Sequence, residues 1–70
     1  MLELVLSIGV NGHSRVAFNH KTYHYSNTVE KTLTDYLFQH YHCYGLVPQL
    51  YHVEVPDAEL DSLVKFLETL

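Results

Sequence analysis

Residues 36–52 hold four tyrosines and three histidines in seventeen positions, with Tyr36-Leu37-Phe38-Gln39-His40-Tyr41-His42-Cys43-Tyr44 at their centre. Imidazole and thiolate are zinc ligands, and zinc takes three or four such groups in a tetrahedron. His40, His42, Cys43 and, through the fold, His52 are the side chains that would supply a metal site or a pH-responsive contact. The spacing works against a metal. On a helix, residues two apart point to different sides, so His40 and His42 share an ion only if the helix ends before His42. His20 and His24 are four apart, but they fall in a stretch that reads as turn and strand, where that spacing does not bring side chains together.

Cys43 beside His42 is the one nucleophile–base pair on offer. A catalytic thiolate needs a base within hydrogen-bond reach and a third group orienting that base. Neighbours in sequence do not face each other on a helix, and a lone cysteine is more often a small buried hydrophobe. The carboxylates Glu30, Asp57, Glu59 and Asp61 fall at helix starts, where capping and the helix dipole account for them. Gly9 and Gly12 flank a hairpin and Gly45 suits a helix C-cap, so no phosphate-cradling loop is present. The expectation is a non-enzymatic chain with no cofactor and no metal.

The tyrosines remain. Tyr23, Tyr25 and Tyr51 on strands are the side chains that would stack RNA or single-stranded bases. That mode needs a basic rim, and Arg15, Lys21, Lys31 and Lys65 are scattered in a chain of net charge −4. Tyrosine is also enriched at protein contacts. Tyr36, His40, Tyr41, Tyr44 and Tyr51 are therefore the candidate protein interface. Protonating all six histidines would carry the charge from −4 to +2, so mild acid is expected to alter partner binding or solubility.

These side chains must be positioned by a small fold. Leu2, Leu4, Leu6, Ile8 and Val10 alternate with Glu3, Val5, Ser7 and Gly9, the period of a strand with one apolar face. Asn11-Gly12 then signals a hairpin. A three-residue loop, Val10-Asn11-Gly12, places Leu6 opposite Val16 and Leu4 opposite Phe18. That register keeps one face apolar, and the second strand spans about 13–18. Thr22-Tyr23-His24-Tyr25 extends it or forms a third strand.

Ser26 and Asn27 are N-cap residues, with Glu30 three beyond Asn27. Val29, Leu33, Leu37 and Tyr41 recur every four residues, predicting a helix over about 28–42 that ends near Gly45 and Pro48. Leu50 to Val55 reads as a strand. Asp57 caps a last helix whose Leu60, Leu63, Val64, Leu67 and Leu70 form an apolar stripe. The fold class is therefore α+β, a two-layer sandwich in the order β-β-(β)-α-β-α. An antiparallel sheet of three or four strands carries both helices on one face. The other face is left to solvent or to a second subunit.

Seventy residues make one domain with a marginal core. One cysteine excludes an internal disulfide and fits a reducing compartment. No signal peptide or membrane span is legible, so a complete, soluble, cytoplasmic product is expected. In size and layout the chain resembles many small phage- and plasmid-encoded proteins that block a host enzyme. The likeness implies an inhibitor or accessory factor bound to a host protein or to itself as a homodimer, and it carries no residue role over.

Overall fold

In the computed structural model, which describes residues 2–9 and 13–70 without the side chains of Asn27 and Leu46, five strands form one antiparallel sheet. The strands are β1 (Leu2–Ile8), β2 (His13–Phe18), β3 (Lys21–Ser26), β4 (His42–Val47) and β5 (Leu50–Val55). Helix α1 (Asn27–His40) joins β3 to β4, and α2 (Leu60–Thr69) follows β5 through a 3-10 turn at Asp57–Glu59. The spatial order is β3-β2-β1-β5-β4, so the first strand is the centre of the sheet. The radius of gyration is 11.1 Å, close to the ~11 Å expected for a folded chain of this length.

The α+β class and the antiparallel sheet with two helices agree with the sequence reading, and the sheet has five strands where three or four were expected. The extra strand is β4. Helix α1 stops at His40, and Tyr41 is already extended, its N–H donating to the Leu37 carbonyl at 3.0 Å. The four-residue period through Tyr41 holds because Tyr41 still packs on the core from just beyond the helix. From His42 onward, aromatic residues and Gly45 have poor helix propensity, and pairing with β5 satisfies their backbone instead. Gly45 is thus a strand residue rather than a helix cap, and Pro48 sits in the β4–β5 turn.

The β1–β2 register is the one the apolar pattern demanded, with Leu6 opposite Val16 and Val5 opposite Ala17. The Gly9 N–H donates to the His13 carbonyl at 2.7 Å and closes the loop. The Asn11-Gly12 signal itself lies outside the described residues. Leu4, Leu6, Val16, Phe18, Tyr25, Val53 and Val55 are buried on the face covered by the helices. Leu33 and Leu37 of α1 and Leu63 and Leu67 of α2 close this core from above. A single period-two face and two helical stripes therefore account for the whole interior.

Polar contacts tie the layers together. Ser14, buried on β2, donates its hydroxyl to Glu30 Oε1 of α1 at 2.8 Å. Glu30 thus binds across the layers, and Ser26, the N-cap of α1, bonds Thr28 Oγ1 rather than the helix backbone. The Tyr25 hydroxyl donates to the Leu67 carbonyl at 2.6 Å. Lys21 Nζ lies 3.4 Å from Glu68 and 4.9 Å above the Tyr23 ring. Among the described residues no helix is long and apolar enough to cross a membrane.

Two turns hold non-glycine residues in left-handed backbone conformations. Asn19 and His20 have φ of 54° and 64°, the two-residue hairpin geometry that favours Asn-Gly. Gln49, after Pro48, has φ of 71°, as at the third position of a type II turn. Asparagine tolerates this region, whereas histidine and glutamine carry a steric penalty there. Glycine at either site removes it and costs some unfolded-state entropy. His20→Gly and Gln49→Gly are each expected to raise stability by roughly 0.5–1 kcal/mol, read as a shift of the urea midpoint with unchanged slope.

Candidate functional site

The five candidate interface residues divide into three groups because β4 begins at His42. Tyr36, His40 and Tyr41 cluster where the C-terminal end of α1 meets α2. The Tyr36 ring stacks between Phe66 at 3.9 Å and His40 at 4.2 Å, with Tyr41 edge-on at 6.3 Å. His40 donates its Nδ1 proton to the Tyr36 carbonyl at 2.9 Å, as a carbonyl can only accept. The Tyr41 hydroxyl donates to Glu59 Oε1 at 3.2 Å. Burial, the neighbouring Tyr36 and the Glu59 carboxylate hold that phenol well above the usual range. Tyr36 and Tyr41 are half-buried against the core, whereas His40 is exposed at the outer side of the stack.

Tyr51 lies on the same sheet face but elsewhere under α1. Its ring meets Phe38 at 5.4 Å and passes over Gly45, the residue paired with it on β4. A Cβ at Gly45 would sit 3.4 Å from the Tyr51 ring, so the glycine leaves the ring room to lie against the edge strand. Tyr44 points to the opposite, uncovered face. It lies between His42 at 5.8 Å and His52 at 5.9 Å, and His52 Nδ1 contacts Glu3 Oε2 at 2.8 Å.

Among the described side chains, the large apolar ones left most exposed are Phe38 at 44%, Tyr44 at 38% and Val47 at 55%. All three border β4, an outer strand of the sheet. Phe38 and Val47 were not picked out from the sequence. Phe38 is the off-stripe residue of α1, beside Leu37, and an aromatic residue facing away from the core of a small helix was the available signal. Phe38, Tyr41, Cys43, Gly45 and Tyr51 surround a shallow hollow of about 340 Å³ next to the β4 backbone.

Among the described residues strand β4 has one partner, β5, and its sequence contains no Lys, Arg, Asp or Glu. Outer strands in monomeric proteins are usually blunted by charge, by proline or by a bulge. The opposite edge, β3, begins with Lys21 held to Glu68. β4 carries only a register shift between Gly45 and Val47.

The metal and nucleophile readings meet a different geometry. The helix does end before His42, and His40, His42, Glu54 and Glu59 surround a hollow of about 390 Å³. Among the described residues, however, no three His, Cys, Asp or Glu side chains converge closely enough to hold an ion. Cys43 and His42 sit on opposite faces of β4. The thiol turns inward, with Sγ 3.4 Å from the Leu37 carbonyl, and burial pushes its pKa up, away from the thiolate form.

Compared with known protein families, curated proteins and solved structures, the chain matches none.

Proposed function

We propose that this chain is a non-enzymatic protein-binding domain that takes an extended segment of a partner protein along the β4 edge. The uncharged outer strand with exposed apolar groups on both of its sides carries this reading. A segment added to β4 gains main-chain hydrogen bonds, and its alternate side chains point to the two sheet faces. On the helix side they enter the hollow between Phe38, Cys43 and Tyr51. On the other side they meet Tyr44.

Of the candidate interface residues, Tyr44 and Tyr51 belong to this surface directly, with Phe38 and Val47 added to them. Tyr36, His40 and Tyr41 form the adjoining cluster that holds the C-terminal end of α1 in place. The partner class that the size and layout of the chain suggest is a host enzyme or regulatory protein, blocked by a small mobile-element product in the cytoplasm. A lone cysteine fits that reducing compartment.

The test is retention of the partner captured by the intact chain. Phe38→Ala and Val47→Lys are expected to weaken binding at least about tenfold, the first by removing an aromatic anchor and the second by charging the edge. Hydrogen exchange should show the β4 amides that point away from β5 protected in the complex and exchanging freely without it. A partner held equally well by both variants, with those β4 amides unprotected, would overturn the proposal.

A further inference from the structure

The face of the sheet turned away from the helices has its own charge pattern. Its middle row runs Thr22, Ala17, Val5, His52 and Tyr44 across the five strands. The row on one side holds His24, Arg15, Ser7 and Leu50. The row on the other holds Glu3, Glu54 and His42. Among the described residues, Arg15 is the only Lys or Arg on this face. Glu3 and Glu54 are directly opposite each other on neighbouring strands.

Like charges in that arrangement repel, and among the described contacts His52 Nδ1 reaches Glu3 and not Glu54. Among the described residues, neither Arg15 nor Glu54 has an ion-pair partner within 4 Å. Val5 and Ala17 in the middle row are small, and a shallow hollow of about 420 Å³ runs from them past Glu3 to the turn between β2 and β3.

This pattern is complementary to itself. Arg15 and the Glu3–Glu54 pair lie one row away from Val5 and Ala17, on opposite sides. We propose that the uncovered sheet face binds a second copy of this chain about a two-fold axis that lies between the two sheets along this middle row, with Arg15 of each copy meeting Glu3 and Glu54 of the other. Val5 and Ala17 in that row are small, whereas His52 and Tyr44 stand at its β5–β4 end, so the two sheets come closest to the ~10 Å of face-to-face packing over β1 and β2. A two-fold contact must be self-complementary, and a face with Arg15 on one side and Glu3 and Glu54 on the other of a row without Lys, Arg, Asp or Glu meets that condition.

Five strands about 4.8 Å apart and three rows about 7 Å apart cover on the order of 500 Å² on each copy. The total, about 1,000 Å², is at the small end of specific interfaces. The dimer is therefore weak and reversible; its footprint reaches Tyr44 on β4 and leaves the hollow beside Phe38 on the helix side uncovered. The inference does not depend on the edge-binding proposal.

The experiment is sedimentation equilibrium of the intact chain from micromolar to millimolar concentration. It is run at about pH 8, where an ordinary imidazole is neutral and Arg15 is the cation of this face. The expected mass rises from the 8.1 kDa of one chain toward twice that value, and added salt lowers the association. Arg15→Glu alone and Glu3→Arg/Glu54→Arg alone should each weaken self-association at least tenfold. Mixing the two variants should restore a one-to-one heterodimer, because every facing pair is then of opposite charge. Ala17→Glu, on an exposed position of the axis, should leave the native circular dichroism spectrum and abolish the dimer. A chain that stays monomeric throughout would overturn the proposal. So would a dimer that survives Arg15→Glu and Ala17→Glu, or variants that fail to pair on mixing while both retain the native spectrum.

Discussion

Leu37→Ala is expected to cost about 3–4 kcal/mol and to leave much of the population unfolded at 37 °C. Leu37 is completely buried on the core side of α1. Its removal takes away apolar contact and leaves a cavity that a close-packed interior fills only in part. A 70-residue domain has roughly 4–10 kcal/mol of stability in all, so one leucine is a large share of it.

The site also carries the end of the helix. The Leu37 carbonyl accepts the Tyr41 N–H and the Cys43 thiol, so backbone movement there disturbs the start of β4 as well. The neighbouring Phe38 is the control. It is exposed, and Phe38→Ala should change stability by less than about 0.5–1 kcal/mol while weakening partner binding. Urea denaturation of both variants separates the effects. Equal losses at the two positions would contradict the assignment of Leu37 to the core and Phe38 to the surface.

Tyr25→Phe is expected to cost about 1–3 kcal/mol at neutral pH and to change the alkaline stability curve. The Tyr25 hydroxyl is buried and donates to the Leu67 carbonyl, one of the last four in α2 that lack a partner within the helix. Phenylalanine keeps the ring and strands that carbonyl away from water. Tyr23, beside it, has no such bond among the described contacts. Tyr23→Phe should therefore lie within about 0.5 kcal/mol of the wild type.

Burial foremost, then the neighbouring Tyr23 and Glu68, push the Tyr25 pKa up from 10.0 to about 12. The folded state thus holds this proton more tightly than the unfolded chain does. The resulting stabilisation is fully present below pH 10 and is lost as the pH rises from about 10 through 12. Tyr41, also raised, adds a loss in the same direction that extends to higher pH. Denaturation midpoints measured through this alkaline window should fall less steeply for Tyr25→Phe than for the wild type. Parallel curves would mean that Tyr25 titrates as it does in the unfolded chain.

Much of this protein is determined locally. The alternation from Leu2 to Ile8, the stripe from Leu60 to Leu70 and the period through Val29, Leu33 and Leu37 each specify an element and its buried face. That is enough for the α+β class and for both helices on one side. The β1–β2 register follows too, because a shift by one residue would turn Leu6 and Val16 to opposite faces.

The candidate interface was legible only as residue types. A run such as His40-Tyr41-His42-Cys43-Tyr44 satisfies a helical and a strand period over so short a length. The helix ends at His40, and pairing with β5 makes His42–Val47 a strand. That decision lies in contacts distant in sequence. It sends Tyr44 to one face, Tyr51 to the other, and Tyr36 and Tyr41 into the α1–α2 seam.

The sheet order was likewise decided by tertiary contact. Placing β5 beside β1 makes β4 an outer strand and sets Glu54 opposite Glu3. The amino-acid sequence by itself determined which faces must be buried, because burial follows from the spacing of apolar groups along one segment. Only the packing of distant segments decided which strand is left at the edge and which charges share the open face.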